Sequence, residues 1–157
     1  MTSDLAANVS LREITTDTLG PILALEVQPD QLEHYPRSNA YSIAQAHFAP
    51  DAWFRGIYAG ETPVGFALLS VIPDKAEYFL WRFMIDHRCQ RRGYGRRAMQ
   101  LLIEHVRGLP AAKEFYLSHL RGNHAAAALY ESLGFRYTGE EQHGDLLMRL
   151  DLGDRRA

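Results

Sequence analysis

The stretch Glu77-Tyr78-Phe79-Leu80-Trp81-Arg82-Phe83-Met84-Ile85-Asp86, followed by His87-Arg88-Cys89 and then Gln90-Arg91-Arg92-Gly93-Tyr94-Gly95-Arg96-Arg97, decides how this chain is read. It is an apolar strand, then a glycine turn, then a helix that runs on through Leu101, Leu102, Ile103 and Val106. Gly93 and Gly95 have no Cβ, so the backbone there can turn tightly and come close to a ligand. The first N–H groups of the helix lack intrahelical partners and stand at the positive end of its dipole, an anion site that phosphate commonly fills. Arg91, Arg92, Arg96 and Arg97 add positive charge around the same turn. Gly-x-Gly with arginines also describes a solvated helix cap, so the rest of the chain must decide between them. Two phosphate motifs are excluded: Ala98 occupies the third glycine position of a dinucleotide fingerprint, and no Gly-Lys-Ser/Thr of a P-loop occurs. What remains is a pyrophosphate cradle built from one helix end.

Working outward, residues 8–14 alternate apolar and polar as a half-buried strand. Thr16 or Asp17 caps a helix that reaches about Val27, with Pro21 in its first turn, and residues 31–37 read as a loop. A second helix spans Ala40 to Phe48. Strands at 52–59, 64–72 and 77–86, joined by short turns, predict an antiparallel meander. The helix at 93–107 stops at Gly108 and Pro110. A strand at 115–119, a helix at 123–133 and a hairpin of 135–139 with 146–152 follow. The expected class is α/β (mixed α+β), in the order β-α-α-β-β-β-α-β-α-β-β: a mixed, mostly antiparallel twisted sheet of about seven strands flanked by about four helices. Residues 1–152 read as one domain and 153–157 as a polar tail. The strand–helix–strand crossover makes 77–86 and 115–119 parallel neighbours, and ligands of such sheets sit beyond the carboxyl ends of the strands. Asp86 and His119 stand at those ends.

A net charge of −2 on 157 residues argues against nucleic-acid binding through phosphate contacts, so the basic cluster is local. The single cysteine, Cys89, rules out an intrachain disulfide, suits a reducing compartment and reads as a bystander. No apolar run approaches the ~18 residues of a membrane span and the first residues do not resemble a signal peptide, so the expected location is the cytoplasm. The seven histidines show no zinc spacing, and no metal is expected.

The second half of the site is the helix beginning Asn123-His124-Ala125-Ala126-Ala127-Ala128-Leu129-Tyr130. Asn123 and Tyr130, seven apart, share one helical face. The alanines between them leave room for a narrow ligand arm, and the Tyr130 phenol can donate a proton to a leaving thiolate. A packed core tyrosine whose hydroxyl meets a carbonyl would look the same.

Together, the Phe83-Met84-Ile85 strand end, Gln90-Arg91-Arg92-Gly93-Tyr94-Gly95, the Asn123/Tyr130 pair and Leu129-Tyr130-Glu131-Ser132-Leu133-Gly134-Phe135 resemble the GNAT superfamily of N-acetyltransferases, over nearly the whole chain. The resemblance implies acetyl-CoA as cofactor. Its pyrophosphate would rest on the amides of Arg91, Arg92, Gly93, Tyr94, Gly95 and Arg96, and its pantetheine arm would pair with Phe83, Met84 and Ile85. Asn123 would help hold the cofactor and Tyr130 would be the general acid. In related enzymes that acetylate a ribosomal protein, a glutamate five residues before the asparagine is the base; Ser118 stands there in this chain and counts against that substrate. His119 and Glu77 are the candidates for proton removal, weighed against a hydrogen-bonded wall histidine and a solvated strand end. Val27-x-Pro29-x-Gln31, Ser38 to Ala46 and Trp81 to Asp86 resemble the bacterial diamine and spermine/spermidine acetyltransferases, whose cationic substrates would call on Asp30, Glu33, Glu77 or Asp86. His34 to Arg37 departs from that pattern by adding bulk and positive charge. The expected partner is a small-molecule primary amine, with a homodimer through the C-terminal hairpin common among the proteins it resembles. The alternatives are a peptide or protein amine, an aminoglycoside, and a non-catalytic acyl-CoA-binding module.

Overall fold

The computed structural model describes residues 8–29, 32 and 38–153. Seven strands form one sheet: β1 (Val9–Arg12), β2 (Ala52–Ala59), β3 (Thr62–Ile72), β4 (Glu77–Ile85), β5 (Glu114–His119), β6 (Arg136–Gln142) and β7 (Asp145–Asp151). The spatial order is β1-β2-β3-β4-β5-β7-β6, antiparallel throughout except for the parallel pair β4–β5. Among the described residues, four α-helices complete it: α1 (Thr16–Leu23), α2 (Asn39–His47), α3 (Tyr94–Arg107) and α4 (His124–Ser132). This is the expected class and element order. The loop at 31–37, with Asp30, Glu33 and His34 to Arg37, lies outside the described residues except for Leu32, as do residues 154–157 of the tail.

Each sheet face carries its own core. Leu69, Tyr78, Leu80, Leu117 and Met148 pack against Ala98, Met99 and Leu102 of α3, and Phe66, Leu68 and Met84 pack against Ile22 of α1 and Ala46 of α2. Leu102, Leu68 and Phe66 are fully buried, each contributing about 2–3 kcal/mol of transfer free energy. Asn39, buried at the start of α2, donates to Ile22 O at 3.0 Å and ties the two short helices together. No helix among the described residues is long and apolar enough to cross a membrane.

α1 ends at Leu23, short of the expected Val27. The cause is tertiary. The Glu26 N–H donates to the Asp86 carboxylate, 60 residues on, at 2.9 Å, and the Glu26 carbonyl accepts from His87 N–H at 2.9 Å. Those bonds replace the ones a longer helix would have made.

The feature that positions the site is a break in the β3–β4 register. Leu68 pairs with Arg82 and Leu69 with Leu80, which leaves Trp81 as one surplus residue, a β-bulge. Tyr78 and Leu80 face the α3 layer, and so do Phe83 and Ile85, which an unbroken period of two would put on the other face. The bulge lies directly above the last β4–β5 pairs, Phe79 with Tyr116 and Leu80 with Leu117. Beyond it the two parallel strands part, leaving a gap through the sheet.

Candidate active site

The gap opens into a cavity of about 1680 Å³ that reaches both faces of the sheet. On the α3 face it is lined by Ile85, Tyr94, Gly95, Asn123, Leu129 and Tyr130; on the other by Ala49, Ser70, Phe79, Trp81, Tyr116 and Ser118. Sites for one small molecule usually measure about 300–1,000 Å³, so this one has room for two reactants.

The edge of β4 in the gap is read from hydrogen-bond phase. Asp86 N–H donates to Val64 O at 2.7 Å, so the even-numbered residues of upper β4 bond to β3. Phe83 and Ile85 therefore turn their N–H and C=O toward the gap. Gln90 Nε2 donates to Ile85 O at 3.0 Å, which occupies that carbonyl. The edge offered to a ligand is then Phe83 N–H, Phe83 C=O and Ile85 N–H. Met84, between them, points its buried side chain into the α1/α2 core.

Past the strand, the chain makes a turn with two left-handed residues, Arg91 (φ 65°) and Gly93 (φ 82°). A non-glycine residue held there costs of order 1 kcal/mol and marks a built conformation. Such turns aim successive N–H groups into one concavity. Arg97 N–H donates to Gly93 O at 3.1 Å, so the amides of Tyr94, Gly95 and Arg96 precede the first helical bond. A Cβ at Gly95 would meet Ile85 Cγ1 at 3.6 Å and Leu129 Cδ2 at 3.8 Å, ordinary contact distances. Protein packing alone would accept alanine at that position. Arg91, Tyr94 and Gly95 line the cavity; Arg92, Gly93 and Arg96 stand at the turn without lining it. Arg96 donates instead to Ser132 Oγ at 2.6 Å, and that hydroxyl donates to Leu129 O at 2.6 Å. The cradle helix is thereby braced on the last turn of α4.

On α4, Asn123 is the N-cap, its Oδ1 accepting from Ala126 N–H at 3.3 Å. Tyr130 is 8% exposed, its ring 6.0 Å from Phe135 in an edge contact. Both line the cavity, as the shared helical face predicts.

The two residues proposed for proton removal lie apart. His119, buried at the end of β5, has Nδ1 2.8 Å from Leu120 O and Nε2 2.9 Å from the Tyr137 hydroxyl. A carbonyl only accepts, so Nδ1 donates to Leu120 O, while the Tyr137 hydroxyl is shared between Nε2 and Glu131. Glu77 is exposed at the start of β4 and shares the sheet face opposite α3 with Phe79 and, through the Phe79–Tyr116 and Ser118–Leu147 pairs, with Tyr116, Ser118 and Asp145. Tyr78 is on the opposite face, fully buried, its hydroxyl donating to Pro110 O and held above the ordinary phenol range by burial. It is a structural residue.

Asp86 corrects the list of carboxylates suggested for a cationic substrate. It is completely buried and accepts from Glu26 N–H (2.9 Å), Arg88 N–H (3.0 Å) and Arg88 Nε (2.9 Å). Burial pushes its carboxyl up, but the bonds from Arg88 and Glu26 outweigh that and hold it below the usual carboxylate range. The carboxylates that do line the cavity are Asp51, Glu77, Glu140, Glu141 and Asp145, with Glu141 ion-paired to Arg121. Those of the β6–β7 hairpin were missed from sequence because nothing local distinguishes them from a solvated turn. Burial pushes the Cys89 thiol up, with the Asp86 charge adding to it. Low thiolate content agrees with a bystander role.

A gap between parallel strands, an amide-lined turn beside it and a phenol on the facing helix thus meet at one cavity. The chain belongs to the acetyltransferase (GNAT) family, whose model matches residues 12–135, and it is an acetyl-CoA-dependent N-acetyltransferase. It is 29% identical over 154 residues to the spermine/spermidine N(1)-acetyltransferase of Bacillus subtilis (strain 168), covering 92% of this chain and 99% of that one. The fold is shared with the ribosomal-protein-S18-alanine N-acetyltransferase of Escherichia coli (TM-score 0.70, 20% identity, 94% and 96% of the two chains). It is shared also with the PaiA N-acetyltransferase of Thermoplasma acidophilum in complex with coenzyme A (TM-score 0.66, 18% identity, 91% and 98%).

Proposed function

We propose that this enzyme acetylates a primary amine of a small polycation of the polyamine class, with Tyr130 as general acid. The observation that carries the acceptor class is the set of carboxylates lining the acceptor face: Glu77 at one end, Asp145 at the other, and Asp51 and Glu140 on the same cavity. They outnumber the one arginine among the described residues of that face, Arg82, itself held against Trp81 and Gln45. Six residues of strand separate the levels of Glu77 and Asp145, roughly 20 Å. An extended chain with several ammonium groups fits such a run, and its similarity to the Bacillus subtilis enzyme supports the same class.

Acetyl-CoA supplies the acetyl group as a thioester. The amides from Arg91 to Arg96 hold the diphosphate, and the Phe83 and Ile85 edge takes the pantetheine amides as a neighbouring strand would. A backbone N–H on that edge polarises the thioester carbonyl, the kind of preorganised donor that acyl transfer uses elsewhere. The amine would arrive through the other face and form the new C–N bond, the C–S bond breaking as Tyr130 gives its proton to the departing sulfur. The proton that the nitrogen sheds on becoming an amide would return to the Tyr130 phenolate. Alignment of the two reactants supplies several kcal/mol, on the order of what proximity gives in other two-substrate reactions.

The amine must first lose a proton. Glu77 is on the acceptor face but roughly 10 Å of strand below the gap, so it acts through water. Both ring nitrogens of His119 are engaged, Nδ1 with Leu120 O and Nε2 with the Tyr137 hydroxyl, so a role for it in the reaction requires the Tyr137 contact to open. A thiol-release assay over polyamines, amino acids, aminoglycosides and peptides tests the substrate class. Turnover concentrated on polyamines is expected; a preference for peptides or aminoglycosides would overturn the acceptor reading and leave the coenzyme reading intact.

A further inference from the structure

Asp86 is a buried charge that the chemistry above does not use, and its bonds join three parts of the molecule. It ends β4, next to the Ile85 that faces the gap. Its carboxylate fixes Arg88 in the short 3-10 turn His87–Cys89 that leads into the cradle. The same carboxylate holds the Glu26 N–H, while Glu26 O takes the His87 N–H, so residues 86–88 and Glu26 close a reciprocal clasp. The two residues after Glu26, Val27 and Gln28, line the cavity, and so do His87 and Cys89 on the cradle side.

We infer that Asp86 is a positioning residue that couples the coenzyme cradle to the acceptor-side segment 26–28, so that filling the cradle orders the place where the amine will bind. The physical basis is that the clasp leaves no slack. The carboxylate is inaccessible to water, so every bond it releases goes unreplaced, and segment 26–28 follows any shift of the 87–89 turn. Such coupling between two sites amounts in general to a factor of about 5–150. The inference rests on coenzyme A binding at the glycine turn.

Amide hydrogen exchange at Glu26 and His87, with and without saturating coenzyme A, tests it. In the wild-type protein coenzyme A slows exchange at Glu26 at least about 5-fold. In Asp86→Asn, which keeps the shape and removes the charge, the same addition leaves Glu26 exchange unchanged, while calorimetry shows coenzyme A still binding. A general loosening of the fold would raise exchange in both states equally and preserve the ratio, so a retained 5-fold ratio in Asp86→Asn overturns the proposal, as does a wild-type Glu26 indifferent to coenzyme A. If Asp86→Asn does not fold, Arg88→Gln serves in its place, since Arg88 is exposed and its loss spares the bond to Glu26 N–H. A reduced ratio there supports the coupling and an undiminished one rejects it. Failure of coenzyme A to bind the wild-type protein would instead strike the cofactor reading.

Discussion

The two halves of this site are made of different material. The proposed coenzyme half is main chain: a strand edge at Phe83 and Ile85, and a left-handed turn with the amides that open α3. The proposed acceptor half is side chain: carboxylates from the turn before β2, from β4 and from the β6–β7 hairpin, gathered on one cavity. Backbone donors are the same whatever the residue, so the first half depends on where the chain goes. The second depends on which residue stands at each place. A family can therefore keep one half fixed while changing the other position by position, and substitutions should separate the two cleanly.

The largest effect is expected at the point where the halves meet. Tyr130→Phe should lower kcat by ~10² or more, as loss of a general acid does, with coenzyme affinity by calorimetry unchanged; equal turnover would remove Tyr130 from the reaction. Gly93→Val should weaken coenzyme A by ~10²-fold, since a left-handed β-branched residue strains the turn by about 1–3 kcal/mol. Gly95→Ala makes a finer cut. Thermal stability should hold or rise, because alanine suits a helix by about 1 kcal/mol, while coenzyme affinity falls. Affinity that stays level would show that nothing approaches that face closely. Glu77→Gln and Asp145→Asn should each raise the amine KM about 2–5-fold, in a salt-sensitive way and without touching coenzyme affinity, the scale of an exposed charge pair.

The smallest effect is a pH dependence at the joint between the halves. Asp86 binds its proton less readily folded than unfolded. Its contribution to stability is therefore fully present above the unfolded carboxylate value of about 4 and is lost as pH falls through the lower folded value. Melting temperatures between pH 7 and 3 should fall less steeply in Asp86→Asn than in wild type; parallel curves would mean that the carboxylate is not held as the geometry indicates.

The same contrast explains how much could be read from sequence. The cradle is contiguous: Gly93, Gly95 and the apolar stripe of α3 placed the helix at 93–107, against Tyr94–Arg107 in the structure, and the strand at 77–86 against Glu77–Ile85. Asn123 and Tyr130 were equally legible because a helical period of seven puts them on one face. What escaped was everything decided by a distant partner. α1 stops early because Asp86 captures Glu26 N–H, and Asp86 itself, which looked free for a cation, is spent on that bond. The Trp81 bulge escaped because an apolar run carries no mark of which residue the neighbouring strand will skip. The amide of Arg96 was expected at the turn and its charge among the basic cluster; that its guanidinium reaches Ser132 on another helix could not be read from its neighbours in sequence.

That skipped tryptophan carries a lesson for anyone reshaping the molecule. Without one supernumerary amino acid, the fourth and fifth strands would have no reason to diverge, and their ladders would zip shut to the rim. The resulting scaffold would keep its layers and its hydrophobic interior, yet contain no doorway joining its two sides. The enzyme's access thus comes from a deliberate misalignment in an otherwise continuous weave, and redesign that regularises strand spacing for added robustness would seal it.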